Sequence, residues 1–211
     1  MKLWKSLQAG MKSGHGGHKW VIGKWYTVTG DLDMCSVGFH ASTRIIDAMQ
    51  YVPLEVLAEV EVDGEHLCQT NKQCWQKMRV VKAWKWEKKD SVALAIFAAK
   101  LTLGNFEKVY PNDKRPRLAI EAAKKVLKSD TKENRDAAAD AAWSAWSATK
   151  SATKSAAKLA AESAGLAGSA AWSATTSAAK SAGLAAESAA RSGDLILQKC
   201  ENWIHKHIGL D

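Results

Sequence analysis

A chain of 211 residues, 46% of them apolar, is long enough for one large domain or two small ones and apolar enough to fold. Its net charge of +8 favours acidic partners without itself being a motif. No run of about 18 apolar residues occurs, which excludes a transmembrane helix, and the N-terminal MKLWKSLQAGMKSGHGGHKW lacks an apolar stretch of signal-peptide length. Four cysteines without a secretion signal point to free thiols, so the expected location is the cytoplasm.

Lys2–Leu7 reads as a short first strand. The segment from His18 to Val28, rich in Trp, Val, Ile, Tyr and Thr, suits a strand or hairpin arm. Gly30–Gly38 is turn-rich and carries Cys35. Ser42 is a plausible N-cap for a helix over Thr43–Tyr51, which Pro53 ends. Val56, Ala58, Val60 and Val62 then alternate with Leu57, Glu59 and Glu61, the period-two pattern of a half-buried strand. That pattern places Glu59 and Glu61 on its exposed face. Asp63-Gly64 marks a turn. Met78–Trp86 alternates again, and these pieces fit an antiparallel sheet against one helix.

From Asp90 the pattern becomes helical. Asp90 or Ser91 can cap an apolar helix ending near Gly104. Pro116 sits well at a first helical position, before a helix over Leu118–Leu127. Asp130 and Glu133 stand at capping-box spacing at the start of an Ala-rich region. There Ala138, Ala145, Ala152, Leu159 and Leu166 fall at heptad spacing, a seam small enough for close helix packing. Trp143, Trp146, Trp172, Leu159, Leu166 and Leu184 are the expected large anchors. Gly165, Gly168, Gly183 and Gly193 are the expected punctuation. Asp194 caps a last amphipathic helix over Leu195–Ile208, with Leu197, Cys200, Ile204 and Ile208 as its apolar stripe and the Ala-rich bundle beneath it. The fold class is α+β: a small antiparallel-sheet domain over residues 1–88, then an all-α, Ala-rich helical domain over 89–211. Whether the Ala-rich region is a compact bundle or one long helix stays open, as does the oligomeric state.

Two segments carry a resemblance. CSVGFHAS at Cys35–Ser42, followed by IIDAMQYVP and LAEVEVDGE, resembles an uncharacterised domain of phage and prophage proteins with a C-x-x-G-[FL]-H-A core. FEKVYPNDKRPRLAIEAAKKVL at Phe106–Leu127, leading into an Ala-rich tail, resembles a family of immunity proteins marked by D-x-R-P-R-x-A-I-E-A. Asp113, Arg115, Pro116, Arg117, Ala119, Ile120, Glu121 and Ala122 match that run. The resemblances imply a phage accessory protein in the host cytoplasm that binds a host macromolecule, as an anti-defence or immunity-type inhibitor.

His40, which follows Cys35 and Gly38 in a loop, is the best single candidate for function, with Cys35 a candidate binding residue beside it. The plainer expectation is that His40 hydrogen-bonds its loop and fixes the start of the following helix. Cys35, His40, Cys68 and Cys74 show no compact C-x-x-C pair, so no metal and no cofactor is expected. His15 and His18, in a Gly-rich GHGGH loop, are at most weak ligands. No G-x-S-x-G, P-loop or H-E-x-x-H occurs, which argues against an enzyme.

Arg115 and Arg117 stand at a helix start, where the dipole disfavours cations. Pairing with Asp113 and Glu121, pinning the two halves together, is preferred to phosphate binding. Lys150, Lys154 and Lys158 at i, i+4, i+8 are a solvated face or a basic ridge for an acidic partner. The run Lys2, Lys5, Lys12, Lys19 and Lys24, interleaved with Trp4, Trp20 and Trp25, is the best nucleic-acid candidate. A divergent nucleotide-handling enzyme with His40 in its pocket is the remaining alternative.

Overall fold

The computed structural model describes residues 1–34, 36–52, 54–152, 155–172, 184–185, 188–191 and 195–210. Cys35, Pro53, Lys154, Gly183, Gly193 and Asp194 lie outside the described residues, as do the side chains of Lys150 and Trp172. The chain divides into two compact units, Met1–Trp86 and Glu87–Asp211. The first is an antiparallel sheet and the second is helical, so the fold is α+β.

The first unit contains β1 (Lys2–Leu7), β2 (Tyr26–Thr27), β3 (Phe39–Ala41), a single helical turn α1 (Ile45–Ala48), β4 (Val56–Cys68) and β5 (Gln73–Lys85). β1 pairs with β4 and β4 with β5, while the other edge of β5 takes β3 over Gln73–Trp75 and β2 over Lys77–Met78. An antiparallel bridge between Trp4 and Ser42 then joins β1 to the end of β3. The strands β1, β4, β5 and β3 therefore close on themselves, around Leu3, Leu7, Trp20, Ala58, Val60, Met78 and Val80. Closure leaves few strand edges unpaired.

Several local expectations change. The segment from His18 to Val28 is mostly loop, with only Tyr26–Thr27 in the sheet, because Gly23 turns the chain at φ 82. α1 is one turn rather than a helix over Thr43–Tyr51, and it starts after Arg44 with no side-chain cap. Asp63-Gly64 is a bulge rather than a turn: β4 runs on to Cys68, with a register shift between Asp63 and His66. The reversal comes at Gln69–Lys72, closed by the Lys72 carbonyl accepting from Gln69 N at 2.8 Å. A second register shift, between Glu59 and Val60, is taken up by β5, which skips Val81, so Glu59 keeps the face it shares with Leu57; that face is covered here as well, with Leu57 fully buried. Glu59 is 4% exposed and paired to Lys2 at 3.0 Å.

In the second unit the described helices are α2 (Lys88–Glu107), α3 (Arg115–Lys128), α4 (Lys132–Ser151), α5 (Ser155–Trp172) and α6 (Leu195–His207). α2 packs against α3, α5 and α6 and buries Val92, Leu94, Ala95, Ile96, Ala98, Ala99, Leu103 and Phe106. Apolar residues on every face make it the central helix of the unit. It starts one turn earlier than expected, at a capping box between Glu87 and Asp90, and passes through Gly104 to end at Glu107. α4 is capped by Thr131, whose hydroxyl accepts from Asn134 N at 3.2 Å, one residue after the expected Asp130.

Over the described residues of 132–172 the Ala-rich region is a hairpin of two helices, not one long helix. Ala152 leaves the helical conformation, and α5 returns antiparallel along α4. A Cβ on Gly168 would lie 2.8 Å from the Ala138 carbonyl oxygen, and one on Gly165 would lie 3.1 Å from the Trp146 indole nitrogen. These glycines are sites of close helix approach inside α5, not punctuation. Ala138, Ala142, Ala145, Ala157, Ala160, Ala164 and Ala167 are buried along the α4 and α5 faces. Trp143, an expected anchor, is 75% exposed. Among the described residues α6 docks chiefly on α2: Trp203 stacks on Phe97 at 5.9 Å, and His207 Nε2 reaches Asp90 Oδ1 at 3.0 Å.

Candidate functional site

A cavity of about 400 Å³ lies in the first unit, where β1 and β3 meet. β1 supplies Trp4, Lys5 and Ser6, β3 and its end supply Phe39, His40 and Ser42, and the turn after α1 supplies Tyr51 and Val52. The reversal between β4 and β5 contributes Lys72, and the GHGGH loop contributes Gly14, His15, Gly16 and His18.

Each wall is fixed by local chemistry. Ser6 Oγ donates to the Ala48 carbonyl at 2.6 Å, holding α1 against β1. Tyr51 donates its hydroxyl to Asn71, and the Lys72 ammonium sits 5.1 Å over the Tyr51 ring, which sets Lys72 at the cavity. Ser13 N donates to the His18 carbonyl at 2.8 Å and closes the GHGGH loop; Gly16 and Gly17 are both left-handed, at φ 70 and 63. Gly14 packs so closely that a Cβ there would lie 2.5 Å from Val52 Cγ1. The loop is thus a packed wall of the site.

The GFHA segment is explained in the same way. Gly38 has φ 134, and a Cβ there would overlap Cys74 Sγ. Cys74 donates its thiol to the Val37 carbonyl at 3.3 Å, and His40 stands opposite Cys74 in the β3–β5 register. His40 therefore lines the cavity while its backbone holds the sheet together. Its carbonyl accepts from Lys5 Nζ at 2.6 Å.

The cavity is electropositive. No Asp or Glu occurs among its described lining residues, while two lysines and three histidines do. Among the described residues no carboxylate pairs with Lys5, whose ammonium lies 5.5 Å from the Trp20 ring centre. Burial lowers Lys5 from an ordinary 10.5 to about 8. Burial, then the charges of Lys5, Lys72 and His15, lower His40 to about 4, so its imidazole is neutral at physiological pH. Burial, then Lys5 and Lys24, lower His18 as well. His18 packs edge-on against Trp20 and Tyr26 at 4.8 and 4.4 Å, and its Nε2 is buried with no hydrogen-bond partner among the described residues. A buried polar atom without a partner is costly, and a bound molecule or water offering hydrogen bonds would satisfy it.

Arg115, Arg117 and Lys158 are not among the residues lining this cavity. Arg115 makes a two-pronged pair with Asp113, at 2.9 and 2.6 Å. Arg117 pairs with Glu107 rather than Glu121, which instead takes Lys124. Both arginine pairs tie the loop between α2 and α3 within the helical unit. The lysine ridge is interrupted: Lys150 ends α4 and the exposed Lys158 begins α5, with the break at Ala152 between them. The N-terminal basic run is dispersed too. Lys2 pairs with Glu59, Lys5 lines the cavity, Lys24 lies over Tyr26, and Trp20 is in the core at 2% exposure. Among the described residues no group of three or more His, Cys, Asp or Glu could hold a metal ion.

Tyr51 and Lys72 were not singled out from the sequence, and Lys5 was named only as one member of the basic run read for nucleic acid. One signal for Lys5 was present. In Leu3-Trp4-Lys5-Ser6-Leu7 the lysine shares strand parity with Leu3 and Leu7, both fully buried, and so points to their side of the sheet. Lys72 and Tyr51 come together only through tertiary structure.

No helix among the described residues is long and apolar enough to cross a membrane. No curated protein and no solved structure matches the chain. Residues 1–90, which contain every residue lining the cavity, match the family described as Domain of unknown function (DUF7666).

Proposed function

We propose that the first unit is a receptor for a small anion carrying a planar group, of the nucleotide class. The observation that carries this reading is a cavity lined by Lys5, Lys72, His15, His18 and His40 with no acidic residue among the described lining. Its volume of about 400 Å³ falls in the range of small-molecule sites, and Trp4 and Phe39 offer apolar surface for a ring. A phosphate group would supply the negative charge that Lys5 lacks, and a base would offer hydrogen bonds to the buried His18 nitrogen. The test is thermal unfolding with adenosine and uridine monophosphates and inorganic phosphate. A binding-dependent rise in Tm that is lost in Lys72→Met is the expected result. A flat response to all three would refute the reading.

A second reading, binding of a host macromolecule as a phage accessory or immunity-type protein, is supported by Trp143. This large apolar side chain stands 75% exposed on α4, on the same solvent face as Asp136 and Asp140. An exposed Trp is the residue type that most often anchors a protein interface. Direct nucleic-acid binding has less support, because the basic N-terminal run is dispersed over pairs, core and cavity. A tagged pull-down from host lysate, with and without nuclease, separates these cases. A stoichiometric protein partner lost in Trp143→Ala would support the second reading, and recovery of nothing beyond the control would refute it.

A further inference from the structure

We propose that Lys5 is a carbonyl-capturing nucleophile that forms a reversible imine with a small phosphorylated aldehyde or ketone held in the cavity. The proposal rests on the anion-receptor reading of that cavity and specifies which class of anion it takes.

The geometry supplies each requirement. Lys5 projects from β1 on the side of Leu3 and Leu7, lines the cavity and has no carboxylate partner among the described residues. An ion pair would hold the amine as ammonium, and its absence removes that constraint. The aromatic ring of Trp20 lies beside it, and the nearest hydrogen-bond partner is the His40 carbonyl, a neutral acceptor. Among the described residues, Cys74 is the titratable group that acts on Lys5, Lys5 in turn acts on His18 and His40, and the other charges on those two rings come from Lys24, Lys72 and His15; none of these groups is a carboxylate. Desolvation in this setting lowers Lys5 to about 8, so a useful fraction is the free amine near neutral pH. Lys72, which also lines the cavity, is then the side chain to hold the phosphate.

The chemistry balances without an oxidant or reductant. The Lys5 lone pair adds to the carbonyl carbon, forming the C–N bond, and a proton passes from nitrogen to the former carbonyl oxygen. That hydroxyl then leaves as water while the C=N bond forms and nitrogen gives up its second proton. The neutral imidazole of His18, whose Nε2 lacks a partner among the described residues, is the nearby group able to accept and return a proton.

The experiment uses the full chain with pyridoxal 5′-phosphate, an aromatic phosphorylated aldehyde, as probe. Trapping with borohydride at pH 7 to 9 makes the adduct permanent, and peptide mass spectrometry reads its position. Lys5 is expected to be modified at least about tenfold faster than the exposed Lys132, with a rate that rises through pH 8. Excess inorganic phosphate should slow labelling at Lys5 and leave Lys132 unchanged. Because the comparison is made within the wild-type chain, it does not depend on any variant folding. Labelling of Lys5 no faster than of Lys132 overturns the proposal. If nucleotides or phosphate still raise Tm in that case, the cavity is an anion receptor without imine chemistry; if they do not, the receptor reading falls as well.

Discussion

Replacing Lys5 by Met should make the first unit more stable at neutral pH while abolishing its ligand chemistry. Lys5 titrates near 8 in the folded chain and at 10.5 in the ordinary state, so keeping it charged when folded opposes folding. At about 1.4 kcal/mol per pH unit the full shift corresponds to about 3 kcal/mol. Solvent around this partly exposed side chain and loss of the bond to the His40 carbonyl reduce the net gain to about 1–2 kcal/mol. Between pH 8 and 10.5 the unfolded chain binds more protons at this site, so the wild type gains stability as pH rises through that window. The Lys5→Met advantage is therefore complete below pH 8 and gone above 10.5. Urea unfolding followed by Trp fluorescence at pH 7 and pH 10.5 measures both ends, with the buried Trp20 and Trp86 reporting on this unit. A variant less stable than wild type at pH 7, or a difference that does not change with pH, would refute the reasoning.

Three further outcomes follow from other parts of the molecule. Gly38→Ala places a Cβ against Cys74 Sγ at a φ of 134, and should cost about 3 kcal/mol or more. Thermal unfolding of Gly38→Ala alone and with Cys74→Ala separates the clash, which the second change relieves, from the backbone strain, which it does not. Trp146→Ala removes the ring packed on Gly165 and should cost about 2–3 kcal/mol, whereas Trp143→Ala, 75% exposed, should stay within about 0.5 kcal/mol of wild type. Equal losses by urea denaturation would contradict the α4–α5 packing. Finally, His40 is lowered from 6.5 to about 4, so the unfolded chain takes up the extra proton between those values and stability falls as pH drops through that window. NMR titration of the His40 ring should show it neutral at pH 5.5; a midpoint near 6.5 would contradict its burial in the cavity.

The sequence alone determined the class of each half. Period-two alternation made β1, β4 and β5 strands wherever one face is buried, and Ala with spaced large residues made the second half helical, because these signals are local. The same locality explains the misses. Alternation alone assigns Glu59 to solvent, but the face it shares with the buried Leu57 is also covered, and there it meets Lys2. Gly165 and Gly168 looked like helix ends, and the approach of α4 made them contact points within α5. His40 was legible in the GFHA segment as a residue of interest, but its setting was not. Lys5, Tyr51, Lys72 and the GHGGH loop are separated along the chain and converge only because β1 bridges to the end of β3 and closes the sheet. The electropositive cavity, and the lowered amine within it, are properties of that closure: desolvation depends on what surrounds a group in space, and neighbours in sequence do not specify it.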